Sequence, residues 1–208
     1  MLNVRLQPSM LKILVGEKEQ VFVIHEGVLT TRSKFFKNAM QKGWKEAEDK
    51  IVKLPEDDPT AFELYEQLVY AGHAENGAQA DDCCDPVTLQ FGTESYVLCK
   101  LYVFAEKLQD SKAKNKIMDT LVDRIEQDVT ISYFPNPRAI KVVYDGTPSG
   151  SLARRLMVDL YVGRDLTRFF DTPDWHPEFM ADLIKEFYKS AHLRDTDLAN
   201  KRKYHDLE

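Results

Sequence analysis

Cysteine is scarce in this chain, and the few that occur follow no framework. A vicinal pair, Cys83-Cys84, and an isolated Cys99 make three, an odd number without regular spacing. That argues against a disulfide scaffold and fits a compartment in which thiols stay reduced. Adjacent cysteines also lack the spacing of a zinc site, and no histidine motif completes one. Long apolar runs are missing as well. The start, MLNVRLQPSM, has no continuous apolar core of signal-peptide length, and no later window approaches a membrane span. A cytoplasmic or nuclear protein without a membrane partner is the expectation. Cations are not in excess: a net charge of -6 argues against non-specific nucleic-acid binding, which needs clustered Lys and Arg to displace phosphate counterions. The chain has no internal repeat and no low-complexity tract.

What is present describes a globular protein, 43% hydrophobic and 30% charged, long enough at 208 residues for one generous domain or a domain with a helical appendage. The stretch Val21–Glu46, VFVIHEGVLTTRSKFFKNAMQKGWKE, organises the rest. It opens on four apolar residues, turns over at His25-Glu26-Gly27 and then changes to helical spacing, so a strand hands over to a helical pair.

Before it, Leu2, Val4 and Leu6 alternate with polar residues as a short strand closed by Pro8-Ser9. Leu11, Ile13 and Val15 repeat the alternation, and a polar turn at 16–20 leads into Val21–Ile24, which predicts an antiparallel hairpin. Ser33 is placed to cap KFFKNAMQ, with Phe36, Ala39 and Met40 on one face and Phe35 beside them; Gly43 is the expected stop. Ile51–Leu54 reads as a strand ended by Pro55. Asp57-Asp58-Pro59 opens an acidic helix start with proline at its first position, Phe62, Tyr65 and Val69 facing inward and Gly72 as the C-terminal cap.

Residues 73–94, rich in Gly, Ala, Asp and Asn, read as a long surface loop. Helical spacing resumes at Tyr96 with Val97, Leu101, Phe104 and Leu108, and Asp110 or Ser111 caps a second helix bearing Ile117, Leu121 and Ile125. Pro137 opens a short helix ended by Asp145-Gly146, and 147–150 is a turn. In LARRLMVDLYV, Leu152, Leu156 and Leu160 alternate with Met157, Val158 and Tyr161, which predicts burial on more than one side. A last helix places Phe179, Leu183, Phe187 and Ala191 inside. Strands interleaved with helices, then helices alone, make an α+β pattern with a small sheet of about three strands.

Together these residues resemble the BTB/POZ domain, in the single-domain form common in fungal proteins. The matching features are Phe22-Val23-Ile24-His25, Leu29, Ser33, Phe35-Phe36, Glu46, Val52-Lys53-Leu54-Pro55, Asp58-Pro59 before Phe62, Tyr70-Ala71-Gly72 and the helix LYVFAEKLQ. The fold-determining set is Phe22, His25, Leu29, Ser33, Phe36, Asp58, Pro59 and Phe62. The likeness spans roughly residues 9–127 and is specific as a set. TPSGSLARRLMVDLYV is similar to the C-terminal extension of those fungal proteins. The implied organisation is a BTB/POZ-like domain over 1–127 with an inserted loop at 73–94, a helical extension over 128–193, and a charged tail over 194–208 with little to bury, expected to be mobile.

The resemblance implies a non-enzymatic module, similar in fold to Skp and elongin-C type adaptors, that works by self-association and by docking onto cullin scaffolds of ubiquitin ligases. Cullin-binding members carry a hydrophobic-X-Glu motif, which Trp44-Lys45-Glu46 matches in type and place. The implied contacts to a cullin N-terminal domain are Met40, Trp44, Glu46 and Tyr70. An aromatic anchor beside a carboxylate is a reasonable hot spot, although Trp44 could equally cap the core from outside. The alternative is a self-associating scaffold, for example in transcription, that meets no cullin. Met10 and Glu26 stand where dimeric transcription-factor members hold an Asp and a basic residue, so the charged pocket of that swapped homodimer is not expected.

No catalytic, cofactor or metal residue is expected. His25, at the end of a buried strand, reads as a hydrogen-bonded fold residue with no nucleophile or carboxylate placed to work with it. The carboxylates of Asp57-Asp58 and of Glu46, Glu48 and Asp49 suit helix starts for dipole reasons. Phe169-Phe170 and Trp175 read as packing for the helical extension.

Overall fold

Period-two alternation builds the sheet. The computed structural model describes residues 9–74, 95–127, 134–162 and 174–191. Strands β1 (Met10–Val15) and β2 (Gln20–His25) form an antiparallel hairpin, with Met10 opposite His25 and Val15 opposite Gln20. Gly16 makes the turn at φ +76°, and its missing side chain leaves room for Pro59, whose Cγ would lie 3.1 Å from a Cβ there. Strand β3 (Ile51–Leu54) lies parallel to β1, Ile13 opposite Val52, giving the order β2-β1-β3. The inner face of this mixed sheet, Leu11, Ile13, Val15, Phe22, Ile24, Val52 and Leu54, is buried. The molecule is α+β and mostly helical among the described residues.

Helices α1 (Glu26–Arg32) and α2 (Lys34–Ala39) are separated by Ser33 alone. The buried Ser33 hydroxyl accepts from the Phe36 N–H at 3.2 Å and donates to the Leu108 carbonyl, so one cap also ties this corner to a distant turn. A short α3 (Lys45–Asp49) precedes β3. In α4 (Pro59–Ala74), Asp58 accepts from the Thr60 N–H at 2.9 Å and Pro59 is the first helical residue. Helix α5 (Ser95–Lys107) is the centre of the helical layer and packs on α4, on α6 (Ser111–Gln127) and on α7 (Pro137–Gly146). Its approach to α7 is close because residue 146 is glycine; a Cβ there would overlap Val103, lying 2.9 Å from Cγ2. Helices α8 (Leu152–Tyr161) and α9 (Pro177–Ala191) pack on each other and on α7. One continuous apolar core runs from Leu11 to Leu183.

Several expectations need correction. Gly72 does not cap α4, which continues through Ala74, so residues 73 and 74 of the expected loop are helical; residues 75–94 lie outside the described residues. Helix α2 stops at Ala39, four residues before Gly43, and Met40 is its C-cap. Gly43, at φ +91°, turns the chain into α3, a helix the periodicity did not show. In α8 the buried side is Ala153, Arg154, Met157, Val158 and Tyr161, whereas Leu152 is 66% exposed. Phe187, expected inside, is exposed: α9 is docked by its first half, through Phe179 and Leu183. The expected strand at Leu2–Leu6, Phe169-Phe170, the side chain of Ala191 and the tail 194–208 lie outside the described residues.

Candidate functional site

The sequence places its functional signal around Trp44, and the structure places a groove there. Helix α2 forms one wall, α3 and the turn before it another, and β3 the floor. The groove is lined by Phe35, Asn38, Ala39, Trp44, Lys45, Glu46, Asp49, Ile51, Val52, Lys53 and Gln109, with a volume of about 490 Å³. Local geometry holds Trp44 at its mouth. Trp44 is the extended N-cap of α3, its N–H donating to the Gln41 carbonyl at 3.3 Å and its carbonyl accepting from Ala47 at 3.0 Å. The main chain is therefore fixed while the indole stays 57% exposed. At the far end of α3, Lys50 adopts the left-handed conformation (φ 55°) and its carbonyl accepts from Lys12 N–H, which docks β3 on β1.

Phe35 reaches the groove because it neighbours Phe36 in sequence. Adjacent helical residues point about 100° apart, so only one can enter the core: Phe36 is fully buried, and Phe35 turns to the groove with its ring edge-on to Phe36 at 5.2 Å. Glu46 makes no ion pair among the described residues, while Lys53 pairs with Glu19 at 2.8 Å. The surface offered is an aromatic ring over an apolar floor beside a free carboxylate. Among the described residues no group of three His, Cys, Asp or Glu could hold a metal ion.

Of the four expected contacts, Trp44 and Glu46 line this groove and Met40 and Tyr70 do not. Met40 is partly buried against the core. The Tyr70 hydroxyl accepts from the His25 main-chain N–H at 3.3 Å and lies 2.9 Å from His25 Nδ1. Either the hydroxyl or the ring N–H donates in that second contact, according to the tautomer of His25. His25 and Tyr70 thus close the end of β2 on α4. Ala39, Ile51 and Gln109, which sequence reasoning did not select, enter the groove; none carries a motif, and only the meeting of α2, β3 and the α5–α6 turn brings them together.

Of the remaining fold-determining residues, Phe22, Leu29, Ser33, Phe36 and Phe62 lie inside, whereas Asp58 and Pro59 are partly exposed at the start of α4. Phe22 meets Phe62 at 4.7 Å between ring centroids, and Leu29 and Phe62 are fully buried. Asp58 is held below its ordinary range, first by a hydrogen bond from Lys100 and then by the Thr60 N–H. Glu26 is likewise lowered, by the Ser9 hydroxyl first and by Lys50, whose Nζ lies 3.0 Å away. The Cys99 thiol is buried and pushed up to about 12 by desolvation, which makes it inert; Cys83 and Cys84 lie outside the described residues. Trp175 packs on Tyr161 and Phe179, each at 5.5 Å. Among the described residues no helix is long and apolar enough to cross a membrane. No family model matches the chain, and no curated protein matches it.

Proposed function

We propose that this chain is a BTB/POZ-like interaction module whose groove at Trp44 docks onto the N-terminal domain of a cullin-type scaffold, recruiting a partner to a ubiquitin ligase. The observation that carries the reading is a 57%-exposed Trp44 beside Glu46, which makes no ion pair among the described residues, at the rim of an apolar groove. An exposed tryptophan over apolar surface loses water when covered, and the carboxylate selects a basic or hydroxyl-bearing neighbour. Support for the scaffold class comes from the resemblance of Trp44-Lys45-Glu46 to the hydrophobic-X-Glu motif; the groove itself supports a protein partner. Cytoplasm or nucleus is the corresponding location.

The test is a binding titration of the full chain against a purified cullin N-terminal domain. Replacing Trp44→Ala together with Glu46→Ala should weaken binding by about 2 kcal/mol or more, a central hot-spot loss. The same double variant should unfold within about 0.5 kcal/mol of the parent, since neither side chain is buried. Binding unchanged by the double variant, or absent in the parent, sinks the cullin reading.

A further inference from the structure

The sheet has a second feature, on the edge opposite the groove. Strand β2 is an outer strand among the described residues, and the main-chain bonds show which of its groups are unused there. Leu11 pairs with Ile24 and Ile13 with Phe22, and the Glu26 N–H donates to the Ser9 carbonyl one step further along the same series. In an antiparallel ladder, alternate residues direct both main-chain groups to the same neighbour. Phe22, Ile24 and Glu26 therefore face β1, and Val21, Val23 and His25 face outward. The His25 N–H agrees with this parity, since it is met from the open side by the Tyr70 hydroxyl. The N–H and C=O groups of Val21 and Val23 find no partner among the described residues.

Edge strands are normally protected by Lys, Pro, bulges or extreme shortness. QVFVIH has no charged residue, proline, glycine or bulge, and its side chains are strongly β-forming. Val21 and Val23 are 57% and 47% exposed on the outer face of the sheet. The segment Val21-Phe22-Val23 also reads the same in both directions. A two-fold axis through Phe22 therefore sets Val21 opposite Val23 of a second copy, and Val23 opposite its Val21. Both pairs are of the outward-facing kind, so all four free main-chain groups of each copy are satisfied, and β-branched side chains meet across the seam. The nearest cation on that face is Lys12, paired in register with Val23. It lies three strand spacings, about 14 Å, from its own copy across the axis, beyond the screening length of about 10 Å at moderate salt. Any other extended peptide would meet the same backbone but no pocket, because the inner face is filled by the protein's own core.

We propose that two copies of this chain associate edge to edge through β2, forming a six-stranded sheet. The contact is short, two residues per copy bounded by Tyr70 at one end and the turn at the other, so the dimer is weak and concentration-dependent. It uses the β2 edge, whereas the groove lies at β3, so cullin binding and dimerisation succeed or fail separately.

The test uses the full chain in sedimentation velocity from dilute to concentrated solution, with amide hydrogen exchange at both extremes. Concentration should shift the chain to dimer and slow exchange at Val21 and Val23, while the His25 amide, already bonded to Tyr70, stays unchanged. Val23→Lys, and separately Val21→Lys, place like charges across the seam on exposed positions and should each weaken association by roughly tenfold or more. A single monomeric species at every concentration overturns the proposal. So does a dimer whose Val21 and Val23 amides exchange as fast as in the monomer, or one that both lysine variants leave intact. Protection of those amides by an added strand-forming peptide while the chain stays monomeric would assign the edge to a different occupant.

Discussion

Two buried ionic residues hold the molecule at opposite ends, and they do so over different distances along the chain. Asp110, with no side-chain exposure, accepts from Arg32 Nε at 3.2 Å, from the Tyr65 hydroxyl at 3.0 Å and from the Ala113 N–H at 2.9 Å. It joins α1 and α4, 78 and 45 residues away in sequence, to the start of α6, which it caps. Arg154, in α8, donates to the Thr147 hydroxyl and to the carbonyls of Tyr144 and Thr147, pairs with Glu178, and lies 4.6 Å over the Tyr144 ring. Its partners lie only 7 to 24 residues away. The first hub fastens long-range topology, and the second fastens a local corner of three consecutive helices. Burial differs in the same sense: Glu178 is 63% exposed, so water reaches one end of the Arg154 hub, while Asp110 is sealed. Desolvation makes every broken contact cost more at the sealed site.

The sharpest way to break this comparison is Asp110→Ala. It leaves the Arg32 guanidinium without its carboxylate, the Tyr65 hydroxyl without its acceptor and α6 without its cap, and should cost about 3–5 kcal/mol. Denaturant titration would measure the loss, and hydrogen exchange should rise throughout the core, since three distant elements part together. An effect below about 1 kcal/mol would mean that the hub is ornamental.

Arg154→Ala should cost less, about 2–3 kcal/mol, through carbonyls left unsatisfied at the end of α7 and lost packing on Tyr144. Exchange should rise in α8 and α9 while β1 and β2 keep their protection. Arg154→Lys should recover little, because a point charge cannot serve the hydroxyl, two carbonyls and a carboxylate at once. Equal loosening of both ends would erase the distinction drawn here.

The smallest effect is that of pH on the surface pairs. The Glu26 carboxyl is lowered from 4.5 in the folded state, so its contribution is fully present above that value and is lost as pH falls through the lower folded value. Asp58 behaves likewise below 3.8. Glu26→Gln should therefore lower stability by less than about 1 kcal/mol at neutral pH, with the difference from the parent vanishing in acid. Urea midpoints at neutral and acid pH check it; a gap that widens in acid would reverse the sign.

The hubs were unevenly legible. Asp110 could be named, with Ser111, as one of two candidate caps because a carboxylate or hydroxyl ahead of a helical stripe has a local job. Its bonds to Arg32 and Tyr65 could not, since nothing local links residues so far apart. Arg154 carried no signal at all: an arginine within LARRLMVDLYV reads as solvated until α7 places three acceptors around it. The groove shows the same split. Trp44 and Glu46 stood out as an aromatic and an acid after a helix, whereas Ala39, Ile51 and Gln109 were anonymous. At Gly72, Leu152 and Phe187 the pattern was helical and the error concerned the boundary or the side that docks, whereas α3, five residues long, was too short to show a period. Propensity fixes the helix, but the neighbours choose its buried face.

The sequence by itself determined the hairpin, the break at Ser33, the helix starts at Pro59 and Pro137 and most of the buried set, because these rest on periods of two and of 3.6 residues and on capping within a single turn. Only tertiary structure decided that β3 joins beside β1, which side of each C-terminal helix is covered, and that Phe35, Trp44 and Ile51 share one groove. It also decided that, among the described residues, β2 is an outer strand of the sheet. Those outcomes depend on which surfaces meet in space, and a chain read one residue at a time contains no term for that.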